Sequence, residues 1–343
     1  MSRSRPFLSL ILLALPFVGC GDSRTPIVVY SPHGRDLLAA LEKAYEAKHP
    51  EIDVRWLDMG SQEVYDRVRS EAANPQADLW FGGPDAIFGR GAKEGLLQPS
   101  HPSWAAATPP ESHGPGDLFF GVYRTLPILV YNSAAVPAAS APADWDDLLD
   151  PRWKGKVLVR DPLASGTMRT MFSMQLARSI AETGSTDRGF AWLRRFDAQT
   201  KEYVSNPALL FQKLMRQEGL VTVWELSDIL LQQQRGIQVG FRLAKSGTPV
   251  INDAIGLVAG APHAAAARGF LEFVGSPEAQ LLAARQAYKL PARTDLPSAE
   301  LPPWARQVLA DLKPLPLDWG LVERSEATWM AEWDRAVRGR GAP

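Results

Sequence analysis

Strand-like and helical patterns alternate along most of this 343-residue chain, and this alternation constrains its fold most strongly. The β-branched run Ile27–Tyr30 is followed almost at once by a helical pattern. In that pattern Leu37, Leu41 and Tyr45 recur at every fourth residue. A second strand-like run, Ile52–Leu57, precedes the next helical segment. Because alternation of this kind builds parallel strands covered by helices on both faces, the sequence predicts an α/β protein.

The pattern breaks once and then starts again. A loop-like stretch at 98–116, rich in Pro, Ser and His, is followed by two strand-like runs around Pro127. A second α/β unit begins near Trp145. We therefore predict two lobes, each a mostly parallel sheet flanked by helices, joined by hinge strands. The expected divisions are a signal peptide at 1–19, a lipid-anchored linker at 20–26, a first lobe at 27–130 plus 257–300, a second lobe at 131–256, and C-terminal helices packing on the lobes at 301–343.

The N-terminus is typical of a secretion signal. Arg3 and Arg5 supply positive charge, and an apolar core runs from Phe7 to Phe17. Cys20, the only cysteine of the chain, follows a small residue directly after this core. This arrangement resembles a bacterial lipoprotein cleavage site, which implies that the Cys20 thiol is acylated and that Cys20 becomes the new N-terminus. A plain signal peptide and an uncleaved anchor, each with an incidental cysteine, are the alternatives.

Composition and motifs exclude several classes of function. The formal net charge of −1 argues against a nucleic-acid binder that relies on attraction to phosphates. The five histidines are scattered, so no zinc spacing appears, and the single cysteine permits no disulfide or thiolate metal site within the chain. The sequence has no nucleophile elbow, metalloprotease or phosphate-loop motif. We therefore expect a protein that is not an enzyme and needs no cofactor.

The polar, glycine-containing loops stand where predicted strands end and helices begin. Ligands of open α/β sheets bind at these ends, where free helix N–H groups carry partial positive charge. Such loops suit a phosphate, phosphonate or carboxylate, although Ser61, Ser165 and Thr167 could equally be helix caps. Glu225 could likewise be an exposed helix residue. The predicted ligand-binding residues are Ser31, His33, Gly34, Ser61, Gly82, Gly83, Ser165, Gly166, Thr167, Ser205, Asn206, Trp224, Glu225 and Asp253.

Several segments together resemble a known family. They are "IVVYSPHGRDLLAALEKAYEAKHPEIDVRWL", "ADLWFGGPDAIFGRGAKEGLLQP", "RTLPILVYN", "DWDDLLDPRWKGKVLVRDPLASGT" and "DAIGLVAGAPHAAAARGFLEFVGSPEAQ". In this order they resemble bacterial extracellular solute-binding proteins of ABC importers, and most closely the branch of ferric-iron, phosphonate and sugar-phosphate binders. The resemblance implies a two-lobed periplasmic-binding-protein clamp that closes on its ligand by a hinge motion. It also implies an ABC permease in the inner membrane as the partner.

The resemblance leaves the solute open. In iron-binding members a histidine of the first loop, a glutamate after the third strand and two adjacent tyrosines hold the ion. His33 matches the histidine, but Gly82 and Gly83 stand at the glutamate position and "WELSD" occupies the tyrosine region. We expect a phosphorylated or phosphonate organic anion, with ferric ion held by His33 and Glu225 as the alternative. A thiamine-like cation and a polyamine are further alternatives for the solute, and a sensing role beside a membrane receptor is an alternative for the function. The expected state is a monomeric lipoprotein anchored at the extracytoplasmic face, in the periplasm.

Overall fold

The computed structural model describes residues 22–340, so the predicted signal peptide and Cys20 lie outside the described residues. The strands are β1 (Thr25–Ser31), β2 (Ile52–Asp58), β3 (Leu79–Pro84), β4 (Leu97–Gln98), β5 (Phe120–Thr125), β6 (Pro127–Asn132), β7 (Val157–Arg160), β8 (Thr200–Val204), β9 (Val221–Glu225), β10 (Val239–Arg242), β11 (Ile251–Val258) and β12 (Leu290–Pro291). The α-helices are α1 (Arg35–Glu46), α2 (Ser61–Ser70), α3 (Asp85–Lys93), α4 (Gly166–Thr183), α5 (Asp187–Gln199), α6 (Pro207–Met215), α7 (Leu226–Gln234), α8 (Ala264–Val274), α9 (Pro277–Gln286), α10 (Pro303–Asp311) and α11 (Trp319–Ala336).

The strands form two sheets flanked by helices, which confirms the predicted α/β class. The first sheet has the order β12-β5-β11-β3-β1-β2, with β4 paired to β11, and the second has the order β10-β6-β9-β7-β8. The expectation of mostly parallel sheets is corrected, because both sheets are mixed. In the first, β1 pairs in parallel with β2 and β3, but β11 runs antiparallel between β3 and β5. In the second, β6 runs antiparallel to both of its neighbours.

The chain crosses between the sheets at two places. Leu126 alone separates β5 of the first sheet from β6 of the second, and the chain returns between Arg242 and Ile251. The predicted lobe boundaries at 130 and 256 therefore fall inside β6 and β11. Each of these strands pairs along its length with one sheet, because hydrogen-bond pairing and not chain order assigns a strand to a lobe.

Each lobe has its own apolar core. In the first lobe, Leu37, Leu41 and Tyr45 of α1 are buried, as their spacing predicts. In the second lobe, α4 is buried along most of its 18 residues, and Trp329 and Trp333 of α11 join the same core. None of the helices within 22–340 combines the length and apolar character needed to cross a membrane.

The capping residues fix where the helices that matter for the site begin. Ser165 caps α4, with its Oγ accepting a hydrogen bond from the Met168 N–H, and the helix ends at Gly184 in the left-handed conformation. Asn206 caps α6 through the Leu209 N–H, with Pro207 in the first turn. The amino ends of α4 and α6 thus lie in the loops that follow β7 and β8.

Candidate functional site

A cavity of about 680 Å³ is lined by loops from both lobes. The parallel register of β1 and β2 pairs Ser31 with Asp58, which brings the loops after these two strands to the same edge of the first sheet. The loops that follow β7, β8 and β9 face them from the second lobe. Most of the predicted ligand-binding residues line this space, namely His33, Ser61, Gly83, Ser165, Gly166, Thr167, Ser205, Asn206, Trp224, Glu225 and Asp253.

The structure places three of the predicted contacts, Ser31, Gly34 and Gly82, outside the lining of this cavity. Ser31 is fully buried, and its Oγ accepts a hydrogen bond from the His33 N–H, so it shapes the loop. Gly34 precedes α1 with a φ of 76°. Gly82 has a φ of 108°, and a Cβ added there would lie 2.7 Å from Nε2 of His33. Ser31 and Gly82 therefore pack around the loop that carries His33.

The amino ends of several helices converge on the cavity. Helices α2, α4 and α6 begin at Ser61, Gly166 and Pro207, all of which line it. Ser61 and Ser165 each accept a hydrogen bond from a backbone N–H, so each keeps its own O–H to donate. The positive ends of the helix dipoles and these hydroxyls together form a donor-rich wall that suits an oxyanion.

Ser61 has a role that the sequence does not predict. The N-terminal cap of α2 is Gly60, so Ser61 is not a cap. Its Oγ instead accepts a hydrogen bond of 3.0 Å from the Gly166 N–H of the other lobe. A Cβ on Gly166 would lie 2.6 Å from Cδ of Pro84 and 2.8 Å from Oγ of Ser61. The two lobes are therefore in direct contact where α2 and α4 begin.

His33 is a neutral imidazole in the wall of the cavity. Its ring packs edge-on against Phe81 and Tyr123, at centroid distances of 4.5 and 5.6 Å. Burial, reinforced by the nearby positive charge of Lys289, lowers the pKa of His33 well below its usual value. Nδ1 lies 3.5 Å from Oδ2 of Asp253, and Nε2 has no partner among the described residues.

Carboxylates and one guanidinium complete the lining. Arg160 is the cationic side chain among the described lining residues, and its guanidinium donates to the carbonyls of Val204 and Ser205. Asp58 and Arg160 end β2 and β7, so the rule that ligands bind at strand ends could have found both. The carboxylate side chains in the lining are Asp58, Glu63, Asp66, Glu225, Asp228 and Asp253.

Three of these carboxylates surround the buried Lys289. Burial and the neighbouring Glu225 raise the pKa of Asp228 to about 6, and burial raises the pKa of Asp253 to about 7. Burial also opposes ionisation of Glu225, but attraction to Lys289 and hydrogen bonds from Lys289 and Ser227 outweigh it, so its pKa is lowered. Glu225 is the carboxylate that stays ionised most readily in this group.

We expect the free energy of unfolding of Asp253→Asn to increase, relative to that of the wild type, as the pH rises from 4 to 7. A carboxyl whose pKa is raised on folding binds a proton more tightly in the folded state, so the wild type loses stability over this range. A shift from 3.8 to about 7 corresponds to about 2–4 kcal/mol for a buried group. Urea unfolding at pH 4.5 and pH 8 measures the difference, and parallel pH profiles for the two proteins would contradict it.

The possible metal-ligating side chains of the described residues are not arranged as a metal site. Within residues 22–340, no group of three or more His, Cys, Asp and Glu side chains is arranged to hold a metal ion. No tyrosine is among the described residues that line the cavity. Ferric ion needs several anionic oxygen ligands, and Glu225, the expected carboxylate ligand in the iron alternative, is paired with Lys289.

The chain is similar to several known proteins. It is 27% identical to the probable ABC transporter periplasmic-binding protein y4fP of Sinorhizobium fredii, over 96% of this chain and 90% of the relative. It is 28% identical to a putative 2-aminoethylphosphonate-binding periplasmic protein of Salmonella typhimurium, over 83% of each chain. It is 24% identical to the iron uptake protein A1 of Synechocystis, over 72% of this chain and 70% of the relative.

Comparison of structures supports the same fold. The periplasmic binding protein AfuA of Actinobacillus pleuropneumoniae, solved with fructose-6-phosphate bound, matches with a TM-score of 0.81 and 21% identity, over 92% of this chain and 99% of AfuA. The family model described as bacterial extracellular solute-binding protein matches residues 40–310. The chain therefore belongs to the bacterial extracellular solute-binding proteins, periplasmic transport proteins and not enzymes, which deliver small solutes to the membrane permease of an ABC importer.

Proposed function

We propose that the protein captures a phosphorylated or phosphonate organic solute in the interlobe cavity. The observation that carries the proposal is the convergence of the amino ends of α2, α4 and α6, with the hydroxyls of Ser61, Ser165 and Thr167, on one space. Donors that are already oriented by folding bind an oxyanion without further ordering cost, and charge-assisted hydrogen bonds contribute about 1.5–3 kcal/mol each. Arg160 supplies a positive charge at the same cavity.

The carboxylates in the cavity indicate which groups the solute carries besides its phosphate or phosphonate. Glu225, Asp228 and Asp253 accept hydrogen bonds, so they favour a solute that also carries an amine or hydroxyl groups. Trp224 lies beside them and donates through its Nε1 to Asp228 at 2.8 Å. A solute with a phosphonate at one end and an amine at the other satisfies both sets of groups. The similarity to the putative 2-aminoethylphosphonate-binding protein supports this choice.

Ferric ion is the second candidate. Nε2 of His33 is buried without a partner among the described residues, and the iron uptake protein A1 is a relative. Among residues 22–340 no carboxylates are grouped with His33 in a way that could hold a metal ion, which favours the phosphorus-containing solute. We further propose that Cys20 carries the lipid anchor and that the protein acts as a monomer at the outer face of the membrane. A sensing role beside a membrane receptor would use the same cavity.

A thermal-shift screen tests the proposed solute. Bound solute raises the melting temperature by mass action, so the probes are 2-aminoethylphosphonate, sugar phosphates, inorganic phosphate, thiamine, polyamines and ferric citrate. We expect a phosphorus-containing solute to stabilise the protein. A coloured complex with ferric ion, or no stabilisation by any phosphorus compound, would contradict the proposal.

Replacing two hydroxyls should weaken binding of the solute that the screen identifies. We expect Ser165→Ala combined with Thr167→Ala to lower the affinity about 10- to 100-fold, because hydrogen bonds to a charged group are lost. The variant should stay folded and lose about 1 kcal/mol of stability with the cap of α4. Calorimetric titration measures the affinity. Thr183→Ala combined with Ser185→Ala, at the far end of α4, is the control and should bind as the wild type does.

A further inference from the structure

Lys289 links the two lobes inside the protein. It immediately precedes β12 of the first sheet and is only 4% exposed. Its Nζ lies 2.5 Å from Oε1 of Glu225 and 3.1 Å from Oγ of Ser227, at the end of β9 and the start of α7. Both acceptors belong to the second lobe. An ion pair between the buried Lys289 and the partly exposed Glu225 therefore joins the lobes at the cavity, and of these two residues the sequence analysis singles out only Glu225.

The backbone directs Lys289 into this position. Helix α9 ends at Gln286, and the Lys289 N–H still donates to the Ala283 carbonyl. Between them Tyr288 adopts a φ of 52°, in the left-handed region that a side chain other than glycine rarely occupies. Leu290 then pairs with Arg124 of β5. The helix end and the strand thus hold the base of the Lys289 side chain on both sides, which limits where its ammonium can go.

The charges around Lys289 explain why the ion pair is stable in a buried place. Its ammonium faces Glu225 from β9, Asp228 from α7 and Asp253 from β11, while His33 in the loop after β1 is neutral. Ser227 Oγ donates to Glu225, so the Glu225 carboxylate has a hydrogen-bond partner besides the ammonium. A buried charge pair persists only when such additional partners compensate for lost hydration.

We propose that Lys289 is a positioning residue of the solute site: it fixes the Glu225 carboxylate in the cavity wall and holds the two lobes together even without solute. The proposal rests on the proposed function only in taking Glu225 for a solute contact. A purely structural pair would affect stability alone. A positioning pair also sets the distance between the lobes and the affinity for a solute.

The distance between the lobes can be measured without any solute. Spin labels at Glu51→Cys in the first lobe and Arg188→Cys in the second, in the chain with Cys20→Ser, report it by pulsed electron resonance, since both sites are well exposed. We expect Lys289→Met combined with Glu225→Gln to shift the solute-free distance distribution toward longer and broader values. The single variant Lys289→Arg, which keeps the positive charge, should have the same distance distribution as the wild type. A folded double variant with an unchanged distribution would overturn the proposal.

Titration with 2-aminoethylphosphonate separates this proposal from the proposed function. If the wild type binds the probe, Lys289→Arg should keep its affinity within about threefold and the double variant should lose at least tenfold. Equal affinity of the double variant and the wild type would overturn the positioning role. If the wild type fails to bind any phosphorus compound, the proposed function fails, whereas the interlobe distances still decide the role of Lys289. The double variant removes both charges, so it avoids the unpaired Glu225 that could prevent Lys289→Met from folding.

Discussion

Gly166→Ala is expected to weaken solute binding roughly 5- to 150-fold while leaving the protein folded. The three atoms nearest to an added Cβ all belong to the first lobe, at 2.6 to 2.9 Å, so the methyl group would push against Pro84 and Ser61 across the cleft. Overpacking of this kind costs about 1–3 kcal/mol. Because the clash arises only when the two lobes meet, this cost weakens the free energy of solute binding by the same amount. Gly166 opens α4 without a left-handed backbone, so alanine fits its own lobe.

The matched control for this variant is Gly320→Ala. Gly320 also lies in the first turn of a helix, α11, and the atoms nearest to an added Cβ are those of the Arg324 and Asp318 side chains at 3.1 Å or more. We expect it to bind solute as the wild type does. Calorimetric titration and urea unfolding measure both variants. If Gly166→Ala binds the solute with the affinity of the wild type, contact between the starts of α2 and α4 is not needed for binding.

Gly82→Ala is expected to destabilise the protein by roughly 2–5 kcal/mol. Its φ of 108° is a conformation that side chains other than glycine rarely adopt, which costs about 1–3 kcal/mol. The new Cβ would in addition lie 2.7 Å from the buried His33 ring and 2.8 Å from Cδ of Pro32. Urea unfolding at equilibrium measures the loss.

Two further variants separate the causes of that loss. Gly260→Ala has a φ of 71° but meets only Pro75 at 3.3 Å, so we expect it to cost about 1–2 kcal/mol. Adding His33→Ala to Gly82→Ala removes the ring that the methyl group meets and should reduce the penalty of Gly82→Ala. An equal loss of unfolding free energy for Gly82→Ala and Gly260→Ala, unchanged by His33→Ala, would show that the His33 ring does not pack closely against Gly82.

The sequence predicts the local elements well because each carries its own periodic or capping signal. The spacing of Leu37, Leu41 and Tyr45 is a local signal, as is the candidate cap at Ser165, and the structure confirms both. Most of the predicted loop residues line one cavity because the ends of adjacent strands must lie at the same edge of a sheet.

Long-range features could not be predicted in the same way. The antiparallel insertion of β11 between β3 and β5 depends on which strand pairs with which, and periodicity does not encode that choice. Lys289 and Glu225 are 64 residues apart in the chain, and no motif marks either as the other's partner. The local sequence makes Ser61 a candidate helix cap. Only the approach of the second lobe shows that its hydroxyl accepts a hydrogen bond from the Gly166 N–H.

The most direct test of the central claim is a crystal structure of the protein with the solute that gives the largest thermal shift. We predict that its phosphorus lies within about 4 Å of the Ser61 and Ser165 hydroxyls, the usual reach of hydrogen bonds to a phosphate or phosphonate oxygen. Its amine or hydroxyl groups should face Glu225 and Asp228. An anion bound away from the amino ends of α2 and α4, or a ferric ion held by His33 and Glu225 in the same cavity, would contradict the account.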